Sequence, residues 1–291
     1  MLLNFNGRLR HEEEMLLRAD NRGFRYGDGL FETMLVREAG VRLGRYHLER
    51  LARGMKLLGL ALADPFTLES LGRQIEELRA LNGLTWGCRA RLTVFREASG
   101  LYTVPDSRAA YFLQTSESGG KRVGLGSGVR SSGTGEEDDA AAGLRLGVFP
   151  HGRKACDDLA SIKSNNYLLS SLAGVYAREH GWDECVLLNS FGRIAETAAA
   201  NIWWVRDRCC FTPPLSEGCV AGVMRRFLLE ALPAAGFCVR EERAEPRELA
   251  DAGEIFISNA IRGVRGVTSF EGRDLSQTVS AAIQREIIQT L

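Results

Sequence analysis

A lysine, a glutamate and a glycine-punctuated loop follow one another between Leu159 and Arg226, and each could take part in chemistry on an amine. Lys163 follows an apolar stretch and precedes an apolar helical pattern, so its ammonium group would be partly desolvated. Desolvation favours the neutral amine, which is the form that condenses with an aldehyde. The alternative is a lysine at a helix start whose amine reaches into solvent.

Glu196 lies in the sequence RIAETAAANIWW, among small residues and shortly before two tryptophans. In such apolar surroundings a carboxylate could keep the nitrogen of a pyridine ring protonated, which makes that ring an electron sink. The alternative is a glutamate on an edge strand whose side chain meets solvent. Both interpretations stay open for this residue taken alone.

The sequence SEGCVAGVMRR predicts a loop that opens a helix at Gly222. The backbone N–H groups of Val223 and Met224 could then bind a phosphate, because the first N–H groups of a helix lack internal partners and the helix dipole attracts anions. Gly222 would let the backbone come close to that phosphate. The alternative is an ordinary helix start that is capped by Ser216 or a nearby group.

The order of these groups is lysine, carboxylate and anion-binding loop, all within one short stretch. An amine that forms a Schiff base, a carboxylate for a ring nitrogen and a phosphate site are the parts that pyridoxal 5'-phosphate requires together. The sequence therefore predicts that this cofactor binds here.

The elements that must position these residues indicate two domains, as the length of 291 residues also suggests. Residues 1–116 predict antiparallel strands with helices packed on one side, which is an α+β arrangement. Apolar spacing within this part predicts one helix from Tyr46 to Leu58 and another with Pro65 in its first turn. Residues 117–143 are rich in glycine, serine and acidic groups, which predicts an interdomain linker or insertion. Residues 144–291 form the second domain.

One segment of this linker, GLGSGV, superficially matches a dinucleotide-binding loop. It lacks the third glycine, and neither a strand before it nor a helix after it is predicted. We interpret it as part of the linker.

The composition is that of a globular protein, with 45% apolar and 25% charged residues. Lys plus Arg and Asp plus Glu both number 37, so the net charge gives no electrostatic reason for a nucleic-acid or membrane partner. The start of the chain, MLLNFNGRLR, lacks the apolar core of a signal peptide, and no apolar run is long enough to span a membrane. We therefore expect a cytoplasmic protein.

The cysteines and histidines give no metal-binding pattern. The seven cysteines are scattered without a C-x-x-C spacing, so we expect reduced and mostly buried thiols. The four histidines are isolated, and HEEEM at residues 11–15 lacks the second histidine of a zinc-protease motif. We expect no metal site.

Several blocks of the sequence, in the correct order, resemble those of the class IV aminotransferases, which are the fold-type IV pyridoxal-phosphate enzymes. NRGFRYGDGLFETMLV resembles the family's (Y/F)GDG-x-(F/Y)E block, and YHLERL resembles its H-x-x-R-L motif, which implies that Arg50 holds the cofactor phosphate. IKSNNYLL resembles the I-K-x-x-N block, which makes Lys163 the Schiff-base lysine and places Asn166 near the ring oxygen. GRIAETAAANIWWV is similar to the E-x-x-x-x-N signature, which assigns Glu196 and Asn201 to the cofactor.

The same resemblance extends to the phosphate loop and to the fold. GVMRR matches the family's phosphate loop and again points to Val223 and Met224. The implied fold resembles that of D-amino-acid aminotransferases, with a small N-terminal α+β domain and a larger C-terminal pseudo-barrel domain. The family also implies a homodimer, with each active site between the two domains and closed by a loop of the partner chain.

The reaction that the resemblance implies depends on the branch of the family. EIFISNAIRGVRGV resembles the 4-amino-4-deoxychorismate lyases, in which an Asn-Ala pair, here Asn259 and Ala260, replaces the hydroxyl residues usual in the transaminases. D-Amino-acid transaminases carry a carboxylate-binding arginine a few residues past the position of Arg96, where this chain has Leu101.

We therefore expect a lyase that releases pyruvate from aminodeoxychorismate and forms p-aminobenzoate for folate biosynthesis. The alternative is an aminotransferase that acts on branched-chain or D-amino acids with a 2-oxo acid acceptor. A third possibility is a catalytically silent relative that keeps the cofactor as a structural ligand, against which the intact Lys163 argues. The residues that we consider for binding the amino substrate are Phe31, Arg96, Arg262 and Arg265, although the last two could equally be ordinary surface arginines.

Overall fold

The computed structural model describes residues 1–102, 106–118 and 143–291. In its amino-terminal part, six antiparallel strands form a sheet in the order β2-β1-β6-β5-β3-β4. The elements of this part are β1 (Leu2–Phe5), β2 (Arg8–His11), α1 (Arg22–Tyr26), β3 (Gly29–Arg37), β4 (Gly40–Val41), α2 (Gly44–Leu58), α3 (Leu68–Leu81), β5 (Arg89–Arg96) and β6 (Ala109–Ser116).

Helices α2 and α3 cover one face of this sheet. Alternate residues of the strands, such as Leu30 on β3 and Leu92 on β5, point into one core with Leu51 of α2 and Leu71 of α3. Helix α2 ends at Gly59, whose φ of 61° is a left-handed conformation that glycine adopts without strain. The prediction of an α+β arrangement with helices on one side is confirmed.

The second predicted helix begins later than the sequence suggested. The Thr67 hydroxyl accepts a hydrogen bond from the Ser70 N–H at 3.0 Å, and the Ser70 hydroxyl accepts one from the Thr67 N–H at 2.9 Å. This reciprocal cap fixes the first helical residue at Leu68. The placement of Pro65 in the first turn was wrong, because Pro65 precedes the cap.

The carboxyl-terminal part is built on a mixed sheet of nine strands in the order β12-β11-β10-β13-β14-β7-β8-β9, with β15 paired to β14. The pairs β7–β8, β7–β14 and β11–β12 are parallel, and the other pairs are antiparallel. The elements of this part are β7 (Leu144–Val148), a 3₁₀ turn (Asp158–Ser161), α4 (Leu168–Glu179), β8 (Glu184–Leu188), β9 (Ile194–Thr197), β10 (Asn201–Arg206), β11 (Cys209–Thr212), a second 3₁₀ turn (Leu215–Glu217), α5 (Val223–Ala234), β12 (Cys238–Glu241), α6 (Pro246–Ala250), β13 (Glu254–Asn259), β14 (Gly263–Phe270), β15 (Arg273–Asp274) and α7 (Thr278–Ile283), which continues as a π-helix over Gln284–Ile288.

This larger sheet is buried on both faces, which explains the unbroken apolar run in NIWWV. Ile202 and Trp204 point to one core, whereas Trp203 points to the other face and packs with Met224 and Leu228 of α5. The N-terminus of α5 is thereby fixed relative to the sheet.

The predicted linker falls almost entirely outside the described residues. Of residues 117–143 the structure describes 117, 118 and 143 only, and the GLGSGV sequence lies outside them. The domain boundaries at 116 and 144 therefore stay a prediction. Among the described helices, none is both long enough and apolar enough to span a membrane.

The expectation that all cysteines are reduced thiols was wrong. Cys209 on β11 and Cys238 on β12 lie side by side in the parallel register, with their Cα atoms 4.6 Å apart, and they form a disulfide. The two residues are 29 positions apart in the sequence, so only the pairing of an edge strand brings them together. The free thiols are Cys88, Cys156, Cys185, Cys210 and Cys219.

Candidate active site

Lys163 lies in an extended segment that joins the two sheets. The backbone N–H of Phe31, on β3, donates to the Lys163 carbonyl at 2.9 Å, and the N–H of Asn165 donates to the Gly29 carbonyl at 2.9 Å. These bonds hold the lysine against the beginning of β3. Helix α4 begins only at Leu168, so Lys163 precedes it by a short extended segment.

Two aromatic rings enclose the amine of Lys163. Its Nζ lies 4.4 Å from the ring centroid of Phe31, 4.8 Å from that of Tyr167 and 3.0 Å from the Tyr167 hydroxyl oxygen. Burial lowers the pKa of Lys163 to about 7, and the nearby Arg50 cation acts in the same direction. A large fraction of the amine is therefore neutral at neutral pH, as the apolar flanks of Lys163 predicted.

Tyr167 is a site residue that the sequence analysis missed. Burial raises the pKa of its phenol, and the Glu196 carboxylate adds to this effect, so the hydroxyl stays protonated at neutral pH. Its ring meets Phe31 edge-on, with the centroids 5.0 Å apart. The available signal was a tyrosine next to the asparagine of IKSNNYLL.

The N-terminus of α5 presents uncapped N–H groups. Helix α5 begins at Val223 after the N-cap residue Gly222, and no side chain caps it, which excludes the capping role considered for Ser216. The N–H groups of Val223 and Met224 therefore lack helical acceptors. A Cβ at Gly222 would lie 1.9 Å from Oδ1 of Asn201, so only glycine fits this position.

The loop before α5 is held from several sides. Asn201 donates from Nδ2 to the Val220 carbonyl at 2.9 Å, and the Ala221 carbonyl accepts a bond from Nη1 of Arg50 at 3.2 Å. The Ala221 N–H donates to the Ser161 carbonyl at 2.9 Å. Asn201 thus fixes the loop whose N–H groups could bind a phosphate.

A buried ion pair fixes Arg50 on α2. Its Nε donates to Oε1 of Glu32 at 2.8 Å, its Nη2 donates to Oε2, and Nδ1 of His47 lies 2.6 Å from the same Oε2. Burial alone would raise the pKa of Glu32, but the charges of Arg50 and His47 outweigh it and lower this pKa to about 2. Glu32 and His47 lie in the sequences GDGLFE and YHLERL, from which no role was predicted for either residue.

Glu196 is buried, with 6% of its surface exposed, so the solvent-exposed alternative is excluded. Its Oε2 accepts a hydrogen bond from the Val220 N–H at 2.9 Å, and its Oε1 pairs with the ammonium group of Lys154. The apolar surroundings predicted for Glu196 are confirmed, although its strand β9 lies at the edge of the sheet, as the alternative supposed. Lys154 lies in the polar sequence HGRKA, which gave no signal of this contact.

Arg91 is a second cation near the amine, and the sequence analysis missed it too. On β5, its Cζ lies 3.9 Å from the ring centroid of Phe31, the same ring that faces Lys163. The side chain is half-buried, and burial lowers its pKa. Within the described part of the chain Arg91 has no ion-pair partner.

Arg96 has a different environment from the one predicted. Its Nε donates to Asp28 at 2.9 Å, Nη1 donates to the Asp106 carbonyl at 2.6 Å, and Nη2 donates to the Leu58 carbonyl at 2.6 Å. All three nitrogens thus bind groups of the amino-terminal part. We do not propose Arg96 as a substrate residue.

The remaining predicted residues lie in turns or near the surface. Asn166 is exposed and donates from Nδ2 to the Gly27 carbonyl at 3.4 Å. Asn259 ends β13, and its Oδ1 accepts bonds from the N–H groups of Ile261 and Arg262 at 3.1 and 2.8 Å. The side chain of Arg262 is exposed.

Arg265 lies on β14 opposite Ile257 and is half-buried. Its position alone does not assign it to a substrate. Within the residues that the structure describes, no group of three or more His, Cys, Asp and Glu side chains is arranged to hold a metal ion.

Comparison with known proteins places this chain in a family. The sequence profile of amino-transferase class IV matches residues 29–270. The chain is 30% identical over 261 residues to the aminodeoxychorismate lyase of Vibrio harveyi, which covers 85% of each protein. Among solved structures, the branched-chain aminotransferase of Thermoproteus uzoniensis with norvaline superimposes with a TM-score of 0.82 and 26% identity over 98% of this chain and 92% of that one. The 4-amino-4-deoxychorismate lyase of Pseudomonas aeruginosa gives a TM-score of 0.77 and 27% identity over 98% and 99%.

The residues present fit the cofactor of that family. The uncapped N–H groups of Val223 and Met224, with Arg50 beside them, suit a phosphate. The buried Glu196 suits a protonated ring nitrogen, and the partly neutral Lys163 suits an aldehyde. With a half-barrel built from a mixed sheet next to a smaller α+β part, the chain belongs to the class IV aminotransferase family, whose members are enzymes that use pyridoxal 5'-phosphate.

Proposed function

We propose that this protein is a 4-amino-4-deoxychorismate lyase, which releases pyruvate from aminodeoxychorismate and forms p-aminobenzoate for folate biosynthesis. The similarity to lyases of this name over most of the chain supports the proposal. The turn at Asn259 and Ala260, where the transaminase branch carries hydroxyl residues, agrees with it.

The observation that carries the proposal is the unpaired Arg91 beside the amine of Lys163. A half-buried arginine without a carboxylate partner is unusual, because leaving water costs free energy unless an anion compensates. Aminodeoxychorismate carries two carboxylates, one on the ring and one on the enolpyruvyl group. We propose that Arg91 binds one of them while the substrate amine meets Lys163, since both cations lie against the Phe31 ring.

The chain's own groups then have defined tasks. Arg50 and the N–H groups of Val223 and Met224 would hold the cofactor phosphate, and Glu196 would hold the ring nitrogen. When bound, the cofactor supplies an electron sink that is conjugated with the substrate nitrogen.

Lys163 takes the proton from the ring carbon that bears the substrate nitrogen, because its lowered pKa leaves it partly unprotonated. The Tyr167 hydroxyl stays protonated and orients this amine at 3.0 Å. Loss of the proton and of the enolpyruvyl group makes the substrate ring aromatic. The proton that Lys163 carries can return to the methylene carbon of the leaving group, which gives pyruvate.

An amino-acid aminotransferase with a 2-oxo acid acceptor is the second candidate. The likeness to the branched-chain aminotransferase structure, with a TM-score of 0.82, favours it. The same residues would hold the cofactor, and Lys163 would take up the proton of the substrate α-carbon. A branched-chain substrate has an apolar side chain, so it would leave Arg91 to bind the α-carboxylate or to remain unpaired.

One assay with two substrate mixtures separates the two functions. Aminodeoxychorismate is supplied and p-aminobenzoate is followed by its fluorescence. Leucine or D-alanine is then supplied with 2-oxoglutarate, and glutamate is followed. We expect product from the first mixture, and product from the second mixture alone would overturn the proposal.

The proposal includes a homodimer. Leu168, Leu172 and Val175 share one face of α4, and between half and three quarters of each side chain is exposed. An apolar stripe of this kind on a helix suits contact with a second copy of the chain. The mass in solution, measured by light scattering, should be twice the chain mass, and Leu172→Glu should reduce it. The expectation of a cytoplasmic protein stays a prediction.

A further inference from the structure

Glu32 and His47 are buried polar residues with no direct task in the chemistry described above. Glu32 is 2% exposed and His47 is fully buried. His47 and Arg50 are three residues apart on α2, so they share the helix face that meets β3 at Glu32. Burying three such groups is costly unless each is held by the others.

The contacts of Glu32 determine which edge of Arg50 is available. Its two oxygens engage Nε and Nη2 of the guanidinium, in the two-pronged geometry that fixes both position and plane. Nη1 remains and points to the loop before α5, where it lies 3.2 Å from the Ala221 carbonyl oxygen. Nη1 thus lies on the side of the loop that leads into α5, and Arg50 and Val223 line one cavity.

Charge and geometry predict opposite effects of Glu32 on phosphate binding. As an anion behind Arg50, Glu32 cancels much of the positive potential that a phosphate would feel. As a clamp, it removes the rotamer freedom that a long arginine side chain would otherwise lose on binding. If removal of the Glu32 charge weakens phosphate binding, the positioning of Arg50 dominates. If it strengthens phosphate binding, the charge of Glu32 dominates.

We propose that Glu32, held in turn by His47, is a positioning residue that fixes the Arg50 guanidinium for the cofactor phosphate. His47 holds the carboxylate through its Nδ1, which lies 2.6 Å from Oε2, the oxygen that also accepts a bond from Nη2 of Arg50. In the described part of the chain Nε2 of His47 has no hydrogen-bond partner, so the contact with Glu32 is the polar contact that this residue makes there. The inference rests on the cofactor and is independent of whether the reaction is a lyase or a transaminase reaction.

The test compares two ligands of the cofactor-free protein, namely pyridoxal 5'-phosphate and pyridoxal, which lacks the phosphate. Their dissociation constants are measured by visible absorbance for the natural protein and for Glu32→Gln. Loss of a charged hydrogen-bond pair should weaken binding of pyridoxal phosphate by about tenfold or more. Binding of pyridoxal should be unchanged, because it has no group for Arg50 to hold. The ³¹P resonance of the bound phosphate should shift in the variant.

Matched variants at His47 extend the test. His47→Asn keeps an N–H donor near the position of Nδ1, and His47→Leu removes it. We expect His47→Leu to weaken binding of the phosphorylated ligand by about threefold to tenfold, and His47→Asn to restore most of it.

Two results would overturn the proposal. One is equal or tighter binding of pyridoxal phosphate to Glu32→Gln, which would mean that Glu32 acts only through its charge. The other is an equal loss for both ligands, which would mean that the effect does not pass through the phosphate. If thermal unfolding shows that Glu32→Gln is not folded, the two ligands are compared with Glu32→Asp instead. This variant keeps the charge but shortens the side chain that holds Arg50. A natural protein that binds neither ligand would instead refute the cofactor itself.

Discussion

The two sides of the site are built on different principles. At the cofactor end, which comprises Arg50, Glu32, Glu196 and the loop 220–224, every charged side chain is buried and paired within the chain. On the side that we propose for the substrate, which comprises Phe31 and Arg91, the arginine is half-buried and has no ion-pair partner in the described residues.

This difference shows what each side must do. The cofactor end holds one molecule in one geometry, so the chain can preorganise all of its groups in advance. On the substrate side we propose that Arg91 is left unpaired for an anion that arrives with each turnover. Mutations at the cofactor end should therefore act on cofactor affinity, and those on the substrate side should act on substrate kinetics.

The largest effect is expected at Lys163, where the two sides meet. Lys163→Ala removes both the amine that binds the cofactor aldehyde and the base, so the rate should fall by about a thousandfold or more. Formation of p-aminobenzoate measures the loss, and visible absorbance of the bound cofactor should change with it. Lys56→Ala, at an exposed position late in α2, is the control and should keep full activity. Comparable activity in both variants would contradict the assignment.

Arg50→Gln should separate the cofactor end from the rest. It removes the cation from the phosphate and leaves the buried Glu32 with His47 but without its guanidinium partner, so the dissociation constant of pyridoxal phosphate should rise by about a hundredfold. At saturating cofactor the KM for the substrate should change little. If Arg50→Gln changed the KM for the substrate and left the cofactor affinity unaltered, the proposed division of roles between the two sides would be wrong.

Arg91→Gln should give the opposite pattern. Loss of a charge-assisted bond to a substrate carboxylate should lower kcat/KM for aminodeoxychorismate by about tenfold, while cofactor affinity stays constant. Arg73→Gln on the exposed face of α3 serves as the control for loss of a positive charge. If Arg91→Gln leaves kcat/KM unchanged, Arg91 does not bind the substrate, and the lyase proposal loses its main structural support.

The smallest effect concerns the stability of the cofactor-free protein. The pKa of Lys163 is lowered from 10.5 to about 7 in the folded chain, so the unfolded chain binds more protons between these values. The free energy of unfolding should therefore rise with pH above about 7, by roughly 1.6 kcal/mol between pH 7 and 8.5. In Lys163→Met, thermal unfolding measured over the same pH range should not show this rise in stability. An identical pH dependence in both proteins would show that the amine is not desolvated.

The same contrast explains what the sequence could and could not predict. Lys163, Glu196 and the loop at Gly222 were identifiable because one cofactor imposes the same residue types in the same order. The helices on one face of the first sheet were predictable from apolar spacing alone. Arg50 needed the family motif, since on its own it reads as a surface arginine of a helix.

The missed residues depend on contacts between distant strands. Arg91 and Phe31 lie on neighbouring strands 60 residues apart in sequence. Lys154 meets Glu196, and Cys209 meets Cys238, only once the larger sheet has formed. No spacing rule within one element detects such pairs.

Arg96 shows the reverse error. It was chosen for its place relative to a family loop, yet hydrogen bonds to Asp28, Leu58 and Asp106 occupy all three nitrogens. Hydrogen bonds to residues that are distant in sequence cannot be predicted from the residues next to Arg96.

The most direct test of the account is to identify the residue that binds the cofactor aldehyde. The chain has four lysines, at positions 56, 121, 154 and 163, so the answer is unambiguous. The protein with bound pyridoxal phosphate is reduced with borohydride, digested and analysed by mass spectrometry. We predict the phosphopyridoxyl group on Lys163, whose pKa is lowered to about 7 beside Tyr167. Attachment to Lys154, which is paired with Glu196, or to no lysine would contradict the central claim.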